Sequence, residues 1–560
     1  MLKLSRMGLV LMCVFSQVNH AEEDTWPVQP LSARDQLEQQ FSDDILQQKK
    51  ARQWVHEVAN NIAAIRYVDQ LADLYQSIGF VPLWQDTFTA SDFEQQLRMV
   101  VLSNISSDFN RRYSLLKHYK QANDWRQYDL LATDTLFAYM SYVEGIPSYG
   151  RGWLFGAGVD PQLPVPSQAS LSRLYNAIDT ERLRFYVNSL KPDDENYTRL
   201  LLAIDALEPA ASGDWPGFYQ PGIIRMGTRL RDPDALITIL EQLGDLRDFE
   251  ADQIRAAGIR TYNVDLANAV KSFQRRHGLK EDGVIGPQTR QWLAISPRSR
   301  IRVLALNAQR TRLWPSDAAS LLVVNIPNYA LSLWLNDRHV LDSKVIVGRP
   351  SRRTPLLTTN VSSVVFNPYW NVPMSIMRKD ILPKAQRDRG YLHRNGFAVI
   401  RSWQSSEQIP IHTIDWRIVN AKSFPYRLRQ KPGRKNALGR FKFNMPNDHA
   451  IYLHDTPAKS LFAKETRAFS SGCVRVEQAD NLAMILLNHS GVPEQRVNEL
   501  KSRTKTKTVG LSNKVKVQVI YQTAWVDSDG LVNYRNDVYD YDKFVAMSQN
   551  QELFTSLYTE

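Results

Sequence analysis

The segment IYLHDTPAKSLFAKETRAFSSGCVRVEQADNLAMILLNH, residues 451–489, decides the fold of the C-terminal half of this chain. Its start, IYLHD, is typical of a β-strand, in which side chains alternate between two faces, so Tyr452 and His454 face one side and Asp455 the other. A Ser-Ser-Gly turn then delivers Cys473, and a helix-like run, EQADNLAMILLNH, follows it. The segment therefore predicts a strand, a turn and a helix that bring a histidine and a cysteine into one domain.

A thiol beside an imidazole is a nucleophile with its base. The unperturbed thiol pKa of about 8.5 leaves it mostly protonated at neutral pH, and an adjacent imidazole can lower that pKa and take the proton. Gly472 allows a tight turn, so the backbone N–H groups of Gly472 and Cys473 are candidates to stabilise the oxyanion of an attacked carbonyl. Asp455 is a poor candidate to orient His454, because it faces the other side of the strand.

The cysteine count narrows what Cys473 can do. The chain has two cysteines, and the other, Cys13, lies in an N-terminal stretch with the layout of a signal peptide. After removal of that stretch Cys473 is alone, so it has no partner for an internal disulfide, and metal sites ordinarily need three or four ligands. A reactive thiol and a buried inert thiol both remain open.

The sequence around this segment is typical of a β-rich domain. The run LLVVNIPNYALSLWLNDRHVLDSKVIVG, from Leu321, has short apolar strands broken by turn residues, and KVKVQVIYQTAWV, from Lys514, alternates in the same way. We assign residues 321–500 to the catalytic domain and 501–560 to a C-terminal β extension that completes its edge. A polar, helix-leaning insertion at about 374–436 is a candidate lid over the site.

The first half of the chain is predicted to be helical. Apolar residues recur every three or four positions through residues 22–250, which indicates an α-helical scaffold domain. Residues 251–296 form a compact unit whose first helix ends at Gly278 and whose second begins with Pro287. A basic connector, 297–320, follows. The chain is thus predicted to be a multidomain α+β protein.

The N-terminus and the charge suggest where the protein works. Residues 1–21 place Lys3 and Arg6 before a short apolar run and end at Ala21, which predicts a removed signal peptide and export to the periplasm. An uncleaved anchor in the inner membrane is the alternative, because Asn19 fits a cleavage site poorly. The formal net charge of +11 favours anionic partners, but no nucleic-acid-binding motif accompanies it.

Two motifs resemble known families. The string AVKSFQRRHGLKEDGVIGPQT resembles the small three-helix-type peptidoglycan-binding domain, and HDTP followed by SSGCVRV resembles the catalytic signature of the L,D-transpeptidases. The helical scaffold and FNPYWNVP extend the likeness to the large periplasmic members of that family. The resemblance implies that Cys473 attacks a donor tetrapeptide stem, that D-alanine leaves, and that a second stem accepts the acyl group in a 3→3 cross-link, with His454 moving the protons.

The resemblance also suggests further site residues and partners. It places Tyr452, Ser471 and Arg475 near the substrate, and Arg475 either binds a carboxylate or holds the catalytic loop. Many relatives have histidine where this chain has Ser470 or Ser471, so we expect a backbone carbonyl to orient His454. The implied partners are peptidoglycan stem peptides and glycan, together with other wall synthases, and the resemblance implies neither a metal nor a cofactor.

Three alternatives stay open at this point. Water could resolve the same acyl-enzyme, which would make the protein an L,D-carboxypeptidase or endopeptidase, or the amine of a wall lipoprotein could accept the acyl group. A non-catalytic peptidoglycan-binding scaffold, in which Cys473 is only a buried apolar residue, is the third.

Overall fold

A computed structural model describes residues 33–59, 62, 64–315, 318–405 and 407–542. The predicted signal peptide, residues 1–21, lies outside these residues. Within them, no helix combines the length and apolar content needed to cross a membrane. The described residues pack as two compact units, one drawn from residues 33–58 and 68–81, the other from residues 59–67 and 82–542.

Helices dominate the chain up to residue 311. They are α1 Ala33–Ala59, α2 Val68–Ser77, α3 Thr87–Ser103, α4 Ser107–Gln121, α5 Trp125–Gly152, α6 Gln168–Asp179, α7 Leu183–Ser189, α8 Glu195–Ser212, α9 Pro233–Gln242, α10 Asp248–Ala256, α11 Val264–Arg276, α12 Pro287–Leu293 and α13 Pro297–Thr311. Polar caps fix several of the starts, as where the Asp86 carboxylate accepts the N–H groups of Phe88 and Thr89 at the start of α3. Helices α1 and α2 belong to the first unit and the others to the second.

Helix α13 corrects one prediction. We expected residues 297–320 to form a basic connector, but α13 is a core helix of the scaffold that packs against α3 and α8. Leu304 and Ala308 are fully buried there, and even Arg310 is 0% exposed. The arginines of this helix suggested a basic connector, but Arg310 is enclosed beside the ring of Phe155 and the carboxylate of Asp542.

The peptidoglycan-binding-like unit contains the predicted pair of helices. Helix α11 ends just before Gly278, whose φ of +63° is in the left-handed region, and α12 begins with Pro287. The predicted boundary at residue 251 is too late, however. Its apolar core begins at Phe218 and includes α9, because α9 packs against both α10 and α11.

The C-terminal half is built on a nine-stranded sheet. In chain order the strands and helices of this half are β1 Leu321–Asn325, β2 Ala330–Leu335, β3 Arg338–Gly348, β4 Leu357–Phe366, β5 Trp370–Asn371, α14 Met374–Ile376, α15 Leu382–Arg387, α16 Tyr391–Arg394, β6 Phe397–Ile400, β7 Gln408–Ile409, β8 Arg427–Gln430, β9 Phe441–Asn444, β10 Leu453–His454, β11 Ala468–Ser470, β12 Val474–Val476, α17 Ala479–His489, α18 Glu494–Ser502, β13 Lys507–Ile520, β14 Ala524–Val526 and β15 Val532–Tyr534. The order in the sheet is β11-β3-β12-β10-β9-β4-β13-β1-β2. Because β2 also pairs with β3, eight of these nine strands, all but β11, form a closed ring.

We predicted that the C-terminal extension completes the edge of the catalytic domain. Its strand β13 instead lies inside the sheet. Strand β13 pairs in parallel with β1 and antiparallel with β4, and its Val515, Val517 and Val519 are fully buried. The ring closes only through β13, because it joins β4 to β1. The hairpin β14–β15 instead packs with α8 and α13 of the scaffold.

The insertion at 374–436 is a small subdomain with its own sheet. Strands β5, β8, β6 and β7 pair in that order, and the short helices cover them around a core that includes Met377, Leu392 and Leu428. The helix-leaning prediction was therefore only half right. The sequence did not predict these strands, because they are two to four residues long and too short to show an alternating pattern.

Candidate active site

Neighbouring strands bring His454 and Cys473 together. Strand β10 lies between β9 and β12, so His454 is paired with Lys442 on one side and with Arg475 on the other. Cys473 immediately precedes β12, and the N–H of Val474 donates to the carbonyl of Tyr452 at 3.3 Å. The sheet register therefore places the thiol residue beside the strand that carries the imidazole.

His454 is held as a neutral base. It is 5% exposed, and its Nδ1 lies 2.5 Å from the backbone carbonyl of Asp455. Nδ1 therefore carries the proton, and the unprotonated Nε2 has a lone pair that can accept one. Burial lowers the pKa of His454 to about 3, and the positive charges of Arg475 and, to a smaller extent, Lys442 contribute to this shift. The expectation that a backbone carbonyl orients this imidazole is confirmed.

The Asp455 side chain takes no part in orienting the imidazole. Its Oδ2 accepts the backbone N–H of Arg440 at 2.8 Å, and its Oδ1 lies 2.7 Å from Lys459 Nζ. This carboxylate therefore binds its partners on the face of β10 opposite His454, as the alternation of the strand predicted.

Cys473 is a half-buried free thiol. Burial raises its pKa, and hydrogen bonds from Tyr452 and the positive charges of Lys442 and Arg475 act in the opposite direction without reversing the shift. With the thiol pKa raised and the imidazole pKa lowered, a resting thiolate–imidazolium pair is disfavoured. The site therefore suits proton transfer to His454 in step with attack by sulfur.

Tyr452 connects the two residues to a wider cluster. Its ring centroid lies 5.6 Å from that of His454, and Lys442 Nζ lies 4.4 Å from the same ring centroid. The tyrosine hydroxyl is hydrogen-bonded to Cys473 and to Trp370, and burial raises its pKa well above the usual value. Sequence reasoning missed Lys442, on β9, and Trp370, in the FNPYWNVP segment, because neither residue carried a signal of its own.

The turn before Cys473 differs from the prediction in one respect. Gly472 has a φ of +117°, which requires glycine, but its N–H donates to Ser470 Oγ at 3.1 Å and so is not available to an oxyanion in this structure. Ser470 Oγ also donates to the carbonyl of Cys473 at 2.5 Å. Among the described residues no acceptor faces the N–H of Cys473, which leaves that group as the backbone donor for an oxyanion.

The two remaining predicted residues lie on opposite sides of Cys473. Ser471 Oγ accepts Nη1 of Arg352 at 2.9 Å and Nη2 of Arg349 at 3.3 Å, instead of bonding its own backbone. Arg475 is half-buried on β12, and its Nε is buried with no hydrogen-bond partner in the described part of the chain. Its charge lowers the pKa of both Cys473 and His454, which gives it an electrostatic role.

The fold and the site thus define a β-barrel-like domain that presents a cysteine, a histidine and two cations on adjacent strands. Comparison with known proteins identifies it. Residues 319–498 match the family model described as "L,D-transpeptidase catalytic domain", residues 69–203 match "Scaffold domain", and residues 236–293 match "Putative peptidoglycan binding domain". The chain carries an L,D-transpeptidase catalytic domain, and the resemblance seen in the sequence is confirmed.

The chain is similar to a curated relative and to two solved structures. A protein of Haemophilus influenzae named "Putative L,D-transpeptidase" is 28% identical over 494 residues, which are 88% of this chain and 82% of that protein. The L,D-transpeptidase structure from Xylanimonas cellulosilytica is 15% identical, covers 54% of this chain and 99% of its own, and has a TM-score of 0.17. That from Stackebrandtia nassauensis is 13% identical, covers 55% and 97%, and has a TM-score of 0.19.

Proposed function

We propose that this protein forms 3→3 cross-links in peptidoglycan through an acyl-enzyme on Cys473. The observation that carries the proposal is the placement of Cys473 beside a neutral, carbonyl-oriented His454 on adjacent strands of an L,D-transpeptidase domain. The matched peptidoglycan-binding domain supports peptidoglycan as the substrate. We also propose that the protein works in the periplasm, after export by its N-terminal segment and in company with other wall synthases.

In the first half-reaction, His454 Nε2 takes the thiol proton as Cys473 Sγ attacks the carbonyl that joins diaminopimelate to the terminal D-alanine. The N–H of Cys473 and the hydroxyl of Tyr452 lie beside the sulfur and can donate to the developing oxyanion. The C–N bond then breaks, the imidazolium returns the proton to the leaving amine, and D-alanine departs. A thioester on Cys473 remains.

In the second half-reaction, the side-chain amine of diaminopimelate on another stem attacks the thioester. His454 takes the proton from that amine, the C–S bond breaks, and the proton returns to sulfur, which restores the thiol. Lys442 and Arg475 favour the anionic sulfur in both halves, because each places a positive charge near it. The chemistry needs only the side chains and backbone groups of this chain.

The acyl acceptor distinguishes this proposal from its alternatives. Purified mature protein is incubated with muropeptides that carry tetrapeptide stems, and the products are followed by mass spectrometry. Cross-linked dimers with one D-alanine released per link support transpeptidation, whereas tripeptides alone support an L,D-carboxypeptidase, and transfer only to a lipoprotein amine supports an anchoring enzyme.

The nucleophile is tested with Cys473→Ala and Cys473→Ser in the same assay. We expect both variants to form no dimers while retaining muropeptide binding, and a carbapenem to add its mass to the wild-type protein only. Dimers formed by Cys473→Ala would refute the mechanism. Binding by the wild-type protein without any product would favour the non-catalytic scaffold.

A further inference from the structure

A polar cluster that the reaction steps above do not use lies against the turn before Cys473. Arg349 and Arg352 come from the segment that follows β3, and both guanidinium groups donate to Ser471 Oγ, at 3.3 and 2.9 Å. Asp380, from the insertion, forms a bidentate ion pair with Arg352, in which Nη2 lies 3.1 Å from Oδ1. The insertion and the nucleophile turn therefore meet through one arginine.

The charges of this cluster do not balance. Two guanidinium groups face a single carboxylate, and Arg349 reaches Asp380 only at 4.0 Å. The Nε of Arg349 is buried, and no hydrogen-bond partner for it exists among the described residues. Because guanidinium groups stay charged and favour two-pronged bonds to carboxylates, the cluster has the charge and the donors to hold a further or a different carboxylate.

Asp380 is placed where it can be exchanged. Its side chain is 32% exposed and that of Arg352 is 20% exposed, so water reaches both partners. Asp380 also lies in the insertion, which has an apolar core of its own, whereas Arg352 adjoins the barrel. Breaking the pair therefore need not disturb the core of either subdomain.

The donor peptide brings a carboxylate to this neighbourhood. In a tetrapeptide stem the terminal carboxylate is three covalent bonds from the carbonyl that Cys473 attacks, which is about 4 Å. Ser471 is two residues before Cys473 in the same turn. The other cations near the sulfur are already engaged, since Lys442 lies over the Tyr452 ring and the charge of Arg475 acts on Cys473 and His454.

We propose that Arg349 and Arg352 bind the terminal carboxylate of the donor stem, and that Asp380 occupies this site until the donor arrives. This inference rests on the proposed function and adds to it the group that recognises the end of the donor. The guanidinium groups then select a peptide with a free D-alanine carboxylate, and Ser471 fixes their position relative to Cys473. Release of Asp380 then breaks the ion pair between the insertion and Arg352.

The test compares two donors, a tetrapeptide with a free terminal carboxylate and the same peptide with a terminal carboxamide. For each, kcat/KM for release of the last residue is measured by mass spectrometry. Arg352→Gln is expected to lower kcat/KM about ten- to hundredfold for the free acid and less than threefold for the amide, because it removes a charge-assisted hydrogen bond only the acid makes. Asp380→Asn is expected to raise it severalfold for the free acid alone.

Arg353→Gln is the matched control. It removes the same charge one residue away, from a guanidinium that lies 5.6 Å from the Tyr539 ring centroid and whose Nε donates to the carbonyl of Pro350. It should leave the ratio between the two donors unchanged. A second variant, Arg352→Lys, keeps the charge without the two-pronged geometry, and should show an intermediate ratio if the site is a carboxylate site.

The outcomes separate this inference from the proposed function. Equal losses for both donors in Arg352→Gln would overturn the inference, because they would mean that the arginine only fastens the insertion. Binding of the two donors to Cys473→Ala, measured by calorimetry, decides the same question without turnover. If the wild-type protein releases nothing from either donor, the proposed function fails, and equal affinity of Cys473→Ala for acid and amide then also rejects the carboxylate site.

Discussion

Two buried histidines in this molecule have nearly the same surroundings and different expected roles. His454 in the catalytic domain and His277 in the peptidoglycan-binding-like unit both hold Nδ1 against a backbone carbonyl, at 2.5 Å from Asp455 and 2.6 Å from Phe273. In both, burial and nearby arginines lower the imidazole pKa. A depressed pKa therefore does not distinguish a base from a structural residue.

The second ring nitrogen makes the difference. Nε2 of His277 accepts Nη1 of Arg300 at 2.8 Å, and its ring stacks on Phe273 with centroids 3.9 Å apart. For Nε2 of His454 the described residues supply no hydrogen-bond partner, and the nucleophile turn lies on the adjacent strand. One imidazole is fully engaged in packing, whereas the other keeps a lone pair for a proton.

The largest expected effect is on activity. His454→Gln should lower the rate of D-alanine release about 10²- to 10⁴-fold, because it removes the general base, while His277→Gln should leave that rate within about twofold. Single-turnover acylation followed by mass spectrometry measures both. A similar loss in the two variants would mean that the comparison is wrong and that the effect arises from folding.

The second effect is on stability, and it should have the reverse order. His277→Gln should lower the free energy of unfolding by about 2 kcal/mol, because the ring stack is lost and buried Arg300 loses a partner. Denaturant unfolding at pH 7 measures this, with His454→Gln as the matched variant, for which we expect a smaller change. A more stable His277→Gln protein would contradict the assignment.

The pH dependence of stability sharpens the same comparison. Both histidines have a lower pKa in the folded state than the usual 6.5, and that of His454 falls to about 3. Their contribution is therefore complete above pH 6.5 and is lost as the pH falls below it, for His454 down to about pH 3, since only the unfolded chain takes up the protons. Replacing either histidine by glutamine should reduce the loss of stability between pH 7 and pH 4.5.

The smallest expected effect concerns the cations of the site. Lys442→Gln removes a positive charge near Cys473, so the thiol pKa should rise further and alkylation by iodoacetamide at pH 7 should slow about three- to tenfold. Lys459→Gln, whose charge instead pairs with Asp455, serves as the control and should not change the rate. Because the exported chain is expected to keep a single cysteine, the rate reports on Cys473 alone. Unchanged alkylation in Lys442→Gln would remove the electrostatic role.

Part of the site was accessible from local sequence. The strand period separated His454 from Asp455, and the signature around Cys473 identified the catalytic domain. The serines at 470 and 471, where many relatives have histidine, led correctly to a backbone carbonyl as the partner of His454. These inferences succeeded because they depend on residues close together in the chain. The roles assigned to Cys473 and His454 stay predictions until the variants above are measured.

Most of the inferences that failed concern neighbours that are far apart in the chain. The 297–320 segment was judged by its charges and proved to be a buried helix, and β13 was assigned to an edge although it closes the ring. We expected the Gly472 N–H to stabilise an oxyanion, but it donates to Ser470 Oγ instead, a hydrogen bond that the Ser-Ser-Gly sequence did not indicate. Each error came from a contact that side-chain type alone does not specify.

By itself, the sequence determined the α+β organisation, the kind of nucleophile and the face on which His454 stands, because backbone periodicity and turn chemistry act over a few residues. Only the tertiary structure decided that Lys442 faces Cys473 and that Asp380 meets Arg352 beside the nucleophile turn. Strand pairing and packing set those contacts across tens to hundreds of residues, and they are settled only when the whole sheet closes.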